Sequence, residues 1–188
     1  MSENLLVQNQ LIRQEANELL YDKGLHELLI RYGIPHYTGS YFLQLMTWRD
    51  LDIYLEVEEL SNERFFELGQ LLDKLLHPVK MSFRNESIAR TPGLPCGLYW
   101  GVYLGNERNG AWKIDIWMMN SNECATGIQN CIDLAGQLSE KTRSYILEIK
   151  SQCWKDPAYR KSYLSMDIYD AVLKNGITNF GDFRLWLK

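Results

Sequence analysis

Residues 38–57 of this 188-residue chain read TGSYFLQLMTWRDLDIYLEV, and the second half of the stretch alternates between apolar and polar residues. The apolar members of the alternation are Leu51, Ile53, Leu55 and Val57. Successive side chains of a strand point to opposite faces, so this pattern predicts a strand with one buried face. Asp50 and Asp52 share the other face, and their two carboxylates are expected to converge there.

Two carboxylates this close together repel each other, and a hard divalent cation offsets that repulsion. Upstream, Gly39 allows the backbone to approach a phosphate closely, and Ser40 offers a hydroxyl and a backbone N–H to the same anion. Residues 41–46 are long enough for a short helix before the strand begins. The stretch therefore predicts a phosphate-binding turn beside a metal-binding strand.

The flanking sequence predicts further strands between two helical regions. Leucine and isoleucine recur at helical spacing through residues 3–32, with a break at Gly24, and again through residues 61–77, where Ser61 is the expected N-cap. Strand-like patterns cover residues 34–38, 79–88, 98–104 and 111–118, and the last two form a hairpin. Beyond about residue 122 the strand patterns stop, and helices are predicted over residues 131–138, 139–155, 165–175 and 180–187.

This order of elements predicts an α+β fold class with an α/β layout, in which helices flank a mixed sheet and the C-terminal part is all helical. We expect two units. Residues 1–120 would contain the sheet and the chemistry, and residues 121–188 would form a C-terminal helical region.

The sequence Thr38-Gly39-Ser40, followed after nine residues by Asp50-Leu51-Asp52-Ile53, resembles the signature of the polymerase-β-type nucleotidyltransferase superfamily. That superfamily has a third carboxylate on a later, adjacent strand, and Ile114-Asp115-Ile116 matches its apolar-acid-apolar setting. The resemblance covers about residues 24–118 and is to the small uncharacterised and antibiotic-modifying members. It implies a nucleotidyltransferase-like fold for this half of the chain.

The resemblance also implies two-metal phosphoryl transfer. Asp50, Asp52 and Asp115 would hold two Mg²⁺ ions, and Gly39 and Ser40 would bind the β- and γ-phosphates of a nucleoside triphosphate. Asp115 would also help to deprotonate an acceptor hydroxyl. The reaction would place a nucleoside monophosphate on the acceptor and release pyrophosphate.

Several side chains around this motif have two readings. The motif does not identify the cation that binds phosphate, and the candidates are Arg49, Arg84, Lys113 and Lys141. Tyr41 and Phe42 replace the small residues or arginine common in the superfamily, and they either narrow the nucleotide site or pack the short helix. The C-terminal aromatics either pack against the first half or line the acceptor site; they are Tyr145, Tyr159, Tyr163, Tyr169, Phe180, Phe183 and Trp186.

The charge composition limits the kinds of acceptor that are expected. The net charge of −4 and the pI near 5.4 argue against a polynucleotide acceptor, since proteins that neutralise nucleic-acid phosphates usually carry a basic excess. A small molecule or a protein is therefore the expected acceptor.

The four cysteines contain no C-x-x-C pair, which argues against zinc and favours free thiols in the cytoplasm. No apolar run reaches the roughly 18 residues that span a bilayer, so no membrane segment is expected.

Two other functions stay open at this point. The first is a protein of the same fold that binds a nucleotide or a partner without catalysis. The second is a protein-interaction module, in which Asp50 and Asp52 form a solvated strand face and lie apart from Asp115. The sequence predicts no particular oligomeric state.

Overall fold

A five-stranded mixed sheet lies at the centre of the protein in a computed structural model that describes residues 2–188. Its strands are β1 (Ile34–Tyr37), β2 (Asp50–Val57), β3 (Lys80–Asn85), β4 (Leu98–Tyr103) and β5 (Lys113–Asn120). Their spatial order is β1-β2-β5-β4-β3. The central pair β2 and β5 is parallel, and the other neighbours are antiparallel. The predicted α+β class and the predicted hairpin of β4 and β5 are confirmed.

Helices precede, interrupt and follow the sheet. They are α1 (Ser2–Asn17), α2 (Leu25–Leu29), α3 (Gly39–Leu43), α4 (Asn62–Leu76), α5 (Glu86–Ala89), α6 (Ser121–Gln137), α7 (Glu140–Cys153), α8 (Ser165–Asn175) and α9 (Phe180–Trp186). A π-helical turn, Glu18–Asp22, and the left-handed Gly24 separate α1 from α2, which confirms the predicted break. Ser61 caps α4 by accepting a hydrogen bond from the Arg64 backbone N–H, as predicted.

Three predicted boundaries are wrong. The helix expected at residues 131–138 already begins at Ser121, where the Asn120 side chain accepts a hydrogen bond from the Glu123 N–H. The strand expected at residues 79–88 ends at Asn85 and continues as the single turn of α5. The helix expected at residues 41–46 is α3, which begins at Gly39 and ends before the left-handed Gln44.

The apolar face of the sheet is buried under α1, α2 and α4. Leu51, Ile53 and Leu55 of β2 are fully buried there, together with Ile114 and Ile116 of β5. This confirms the alternation read from residues 50–57, because the odd-numbered positions of β2 face the core. The even-numbered positions, which include both aspartates, face the opposite side.

A second hydrophobic core lies among α7, α8 and α9. Tyr159, Tyr163, Tyr169 and Phe183 are buried in it, so these aromatic residues pack the interior, and Tyr169 in addition lines the cleft described below. Between the two cores, α6 packs against β2 and β5 on the face opposite the first core. Among residues 2–188, no helix has the length and apolar character needed to cross a membrane.

Candidate active site

The parallel pairing of β2 and β5 brings the three predicted carboxylates to one face of the sheet. Asp52 pairs with Asp115, and Asp50 pairs with Lys113, so all four side chains project from neighbouring positions on the same side. This proximity has an electrostatic consequence. Burial, followed by the charges of Asp50 and Asp115, raises the pKa of Asp52 to about 7. Burial and Asp50 likewise raise the pKa of Asp115.

The Gly39–Ser40 turn lies directly against Asp52. Gly39 has a φ of +57°, and a Cβ placed on it would lie 2.0 Å from Asp52 Oδ2. Only glycine fits, because a side chain here would be strained by the left-handed backbone and would also clash with the carboxylate. The Thr38 N–H donates to the Asp52 carbonyl oxygen at 2.9 Å, which ties the turn to β2. The two sequence motifs therefore form one site.

The protein's own cations contact the outer two carboxylates. Lys113 Nζ lies 2.5 Å from Asp115 Oδ2 and 3.8 Å from Asp50 Oδ1. Burial disfavours its charge, but Asp50 and Asp115 outweigh burial and raise the pKa of Lys113. The Tyr99 hydroxyl donates to Asp115 Oδ1 at 2.7 Å. On the other side of the cluster, Arg160 Nη2 lies 2.6 Å from Asp50 Oδ2.

The chemistry of these side chains fits a divalent cation. The ligands are carboxylate oxygens, which Mg²⁺ and other hard cations prefer. Asp50 Oδ1 is buried and has no hydrogen-bond partner within residues 2–188, so its lone pairs are free to bind a cation. In the described part of the chain, no group of three or more His, Cys, Asp or Glu side chains is already arranged to hold a metal ion. Asp115 in particular is held by Lys113 and Tyr99.

A cleft of about 810 Å³ opens in front of Asp50 and Asp52. Thr38, Gly39, Ser40 and the two aspartates line one wall, which we call the sheet wall. The opposite wall, which we call the helical wall, consists of residues from α6, α7 and α8: Glu123, Thr126, Gly127, Asn130, Cys131, Asp133, Leu134, Gln137, Lys150, Ser165, Met166, Tyr169, Asp170, Leu173 and Lys174.

Lys150 places a buried positive charge in this cleft. Its side chain is 1% exposed, its Nζ donates to the Tyr169 hydroxyl at 3.2 Å, and it lies 4.7 Å from the centre of a Trp48 ring. Within the described residues, no carboxylate lies within ion-pair distance of it, and burial lowers its pKa to about 8. A buried ammonium without a paired anion is costly, which makes this a favourable position for an anionic ligand.

The four cations proposed from the sequence do not line the cleft. Arg49 is paired with Glu15, and Arg84 with Glu86. Lys113 belongs to the carboxylate cluster, and Lys141 lies against the Tyr145 ring. Lys150 in the cleft and Arg160 beside Asp50 were not among the cations predicted from the sequence.

The sequence contains an indication of a buried cation for Lys150 but not for Arg160. Lys150 stands within an apolar helical stripe that also contains Ile146, Ile149 and Cys153, and a lysine in such a stripe indicates a buried charge. Arg160 has no comparable signal, because only the folded loop brings it to Asp50.

Tyr41 and Phe42 do not narrow the cleft. The Tyr41 hydroxyl donates to Asn17 Oδ1 at 2.6 Å and its ring packs against Tyr37, whereas Phe42 is 42% exposed. Neither residue lines the cleft. The helix-packing alternative therefore holds for Tyr41, whereas Phe42 neither packs in the core nor lines the cleft.

No protein-family model and no curated protein matches this chain. Several solved structures do, including two at 15% and 18% sequence identity. A cytoplasmic RNA terminal U-transferase superposes with a TM-score of 0.56 and 15% identity, covering 86% of this chain and 45% of its own. Cid1, a protein with RNA terminal uridylyl transferase activity, superposes with a TM-score of 0.59 and 18% identity, covering 86% and 48%.

This chain thus spans slightly less than half the length of each of these structures. The shared region includes most of the present chain, so the likeness extends beyond the motif-bearing strands to the helices around them. The chain therefore shares the fold of these two structures, and its sequence motifs agree with this likeness.

Proposed function

We propose that this protein is a nucleotidyltransferase that moves a nucleoside monophosphate from a nucleoside triphosphate to the hydroxyl of a small molecule or a protein. One observation carries the proposal. A single cleft has carboxylates and the Gly39–Ser40 turn on its sheet wall and the buried cation Lys150 on its helical wall. Carboxylates suit metal ions and the turn and the lysine suit phosphates, which together are the groups of a metal-bound triphosphate.

Asp50, Asp52 and Asp115 are the residues that would hold Mg²⁺, with two ions expected. When bound, Mg²⁺ would neutralise charge on the phosphates as it develops during transfer. In its absence the three carboxylates repel each other, and burial together with this repulsion raises the pKa values of Asp52 and Asp115. This repulsion would favour cation uptake.

The phosphate-binding end of the cleft would use Gly39, Ser40 and Lys150. The backbone at Gly39 has no side chain to keep a phosphate away, and Ser40 adds its hydroxyl and N–H. Lys150 would contribute its charge from the opposite wall, where burial strengthens its attraction for an anion. A triphosphate held from both sides would be oriented for in-line attack.

Asp115 would act at the acceptor end. In the reaction, the acceptor oxygen forms a bond to the α-phosphorus, the bond from that phosphorus to the bridging oxygen breaks, and pyrophosphate leaves with the bond electrons. Asp115 would take the proton of the acceptor hydroxyl, the role that the superfamily resemblance implies for it. Tyr99 and Lys113 would orient its carboxylate.

The direct test is nucleotide turnover. The purified protein would be incubated with Mg²⁺ and each α-³²P-labelled nucleoside triphosphate, with cell extract as a source of acceptors, and pyrophosphate release and label transfer would be measured. Transfer by wild type that is absent in Asp50→Ala supports the proposal. Binding of a triphosphate without pyrophosphate release would favour the non-catalytic alternative. If calorimetry shows that Asp50→Ala binds Mg²⁺ and triphosphate as well as wild type, the site assignment is wrong.

A second candidate acceptor is the 3′-terminal hydroxyl of RNA. The two fold neighbours, both described as RNA terminal uridylyl transferases, favour it, whereas the net charge of −4 favours a smaller acceptor. A labelled oligoribonucleotide with a free 3′ hydroxyl and one with a blocked 3′ end separate the two. Extension of only the free oligonucleotide would identify RNA as the acceptor.

Three further assignments belong to this proposal. The ion would be magnesium, residues 1–120 would be the catalytic unit with residues 121–188 as its helical region, and the protein would act in the cytoplasm. The absence of disulfides among the four cysteines of the described chain is compatible with a reducing compartment.

A further inference from the structure

Arg160 lies at the tip of a tightly built loop between α7 and α8. Its N–H donates to the Tyr163 carbonyl oxygen at 2.8 Å, and Tyr159 and Tyr163 pair in a short β-bridge. Both tyrosines are 5% exposed, and the Tyr159 ring packs edge-on against Trp48 with centroids 5.3 Å apart. The loop therefore holds the backbone of Arg160 in one place.

The backbone of Arg160 is in the left-handed region, with a φ of +65°. A residue other than glycine is strained there, and such strain is retained mainly where the side chain has a role. Glycine would satisfy this turn better than arginine. The role of the residue must therefore be sought in its guanidinium group.

The guanidinium group joins three parts of the protein. Its Nη2 lies 2.6 Å from Asp50 Oδ2, and its Nη1 lies 2.7 Å from Glu107 Oε2 in the connection between β4 and β5. Arg108, next to Glu107, also donates to the Trp154 carbonyl oxygen. The loop after α7 thus contacts both Asp50 and the β4–β5 connection.

The two carboxylate oxygens of Asp50 have different hydrogen-bond partners. Oδ2 accepts hydrogen bonds from Arg160 at 2.6 Å and from Trp48 Nε1 at 3.3 Å. Oδ1 is buried, has no hydrogen-bond partner in the described chain, and faces Lys113 Nζ at 3.8 Å. Arg160 therefore fixes one oxygen and leaves the other free on the side of the carboxylate cluster.

We infer that Arg160 is a positioning residue that orients Asp50 so that Oδ1 is presented to the divalent cation, an inference that rests on the proposed function. Hydrogen-bond donors behind a ligating carboxylate commonly fix its orientation, and their loss weakens metal binding. The opposite role would be competition, in which the guanidinium must leave before the cation binds. Competition would require Arg160 to occupy the free oxygen, and it occupies the other one.

Binding of Mn²⁺ alone separates the two roles by the sign of the effect. Removing a positive charge close to a cation site should by itself tighten cation binding. Arg160→Gln should nevertheless bind Mn²⁺ about 10- to 100-fold more weakly than wild type, because the orientation of Asp50 is lost. Free Mn²⁺ would be counted by electron paramagnetic resonance, with Asp50→Asn defining the uptake that belongs to this site. Arg160→Lys keeps the charge and one donor, and it should restore most of the affinity.

Two matched variants guard against a purely structural effect. Lys161→Gln removes an equal charge from the adjacent, exposed position and should bind Mn²⁺ as wild type does. Arg160→Gly accepts the left-handed backbone and should keep the thermal midpoint of wild type, yet it should show the same weak binding as Arg160→Gln.

Three outcomes would overturn the inference. The first is that wild type binds Mn²⁺ and transfers nucleotides, while Arg160→Gln or Arg160→Gly binds Mn²⁺ as well as wild type or more tightly. The positioning role of Arg160 is then wrong, and the proposed function stands. The second is that Arg160→Lys fails to restore Mn²⁺ binding. The loss would then come from a changed loop structure, and the positioning role would again be wrong. A wild-type protein that takes up no Mn²⁺ at this site removes both the inference and the proposed metal chemistry.

Discussion

The sheet wall carries the carboxylates of Asp50 and Asp52, the helical wall carries the buried cation Lys150, and the two are encoded in different ways. On the sheet wall, Asp50 and Asp52 lie two residues apart, and Asp115 joins them through the register of two parallel strands. Two cations come from about 100 residues further along the chain: Lys150 lines the same cleft on the helical wall, and Arg160, in the loop after α7, pairs with Asp50. A short motif can therefore reveal the anionic half of a site, whereas its cationic half depends on how the helices pack.

The comparison also concerns stability. The three carboxylates are held close together in spite of their repulsion, and Lys150 is buried without a carboxylate in ion-pair contact within residues 2–188. Each wall alone is electrostatically unfavourable. Arrangements of this kind are typical of functional sites, where a ligand supplies the missing charges. Substitutions on either wall should thus reduce binding more than they reduce stability.

The largest effect is expected on the sheet wall. Asp52→Asn should lower nucleotidyl transfer by about 1,000-fold or more, as is usual for a residue central to catalysis. Its thermal midpoint should equal or exceed that of wild type, because one of three repelling charges is gone. Transfer would be measured from α-labelled triphosphate and unfolding by circular dichroism.

The control for Asp52→Asn is Asp170→Asn, which removes a partly exposed acid from the helical wall, where Asp170 is paired with Lys174. This variant should retain transfer close to the wild-type rate. Comparable losses in the two variants would mean that general acidity of the cleft, and no specific carboxylate cluster, supports the reaction.

Gly39→Ala should have the next largest effect. The new Cβ would have to lie 2.0 Å from Asp52 Oδ2, so the turn or the carboxylate must move. A displacement of about 1 Å in a catalytic site can cost about 100-fold, and we expect a loss of this size in transfer. The matched control is Gly93→Ala, since Gly93 also lines the cleft and has a φ of +82°, but no atom lies within 4 Å of its added Cβ.

Both glycine variants carry the backbone strain, and only Gly39→Ala carries the clash. Equal losses of transfer in the two would attribute the effect to strain in the left-handed backbone. A near-normal rate for Gly93→Ala with a large loss for Gly39→Ala would locate the effect at the contact with Asp52.

On the helical wall, Lys150→Met should weaken triphosphate binding by about 10- to 100-fold, the usual value of a hydrogen bond to a charged group. The same variant should unfold at an equal or higher temperature, since methionine removes a buried charge and keeps most of the side-chain volume. Calorimetric titration with a non-hydrolysable triphosphate gives the affinity. Lys174→Met is the control, because Lys174 also lines the cleft but is exposed and paired with Asp170.

Local patterns predicted the sheet wall because its residues meet through regular strand geometry. Asp50, Asp52 and Gly39 were identifiable from periodicity and spacing, and Asp115 from its apolar flanks and the resemblance to a known superfamily. Local patterns did not predict the beginning of α6, which lies at Ser121. Gly127 and the polar residues near it are poor helix formers, and that segment is helical because it packs against Tyr54, whose ring would lie 2.4 Å from a Cβ on Gly127.

Lys150 and Arg160 could not be predicted from local sequence patterns, for a physical reason. Lys150 becomes part of the cleft only because α7 packs against Trp48, and Arg160 only because a short loop turns its side chain toward Asp50. Neither contact leaves a period or a spacing in the sequence. The predicted division at residue 120 stays a prediction, although α1 packs on α7 and thereby links the two predicted units.

The smallest expected effect is a pH dependence that belongs to Lys150. Burial lowers its pKa from 10.5 to about 8 in the folded protein, whereas the unfolded chain keeps a value near the first. Between these two values the unfolded state binds more protons, so the free energy of unfolding should rise with pH in this window. Triphosphate affinity should change in the opposite direction and fall severalfold as the pH passes through about 8, because the deprotonated amine loses its charge. Both trends, measured by denaturant unfolding and by calorimetry, should be absent in Lys150→Met; a trend that survives in this variant would assign the titration to another group.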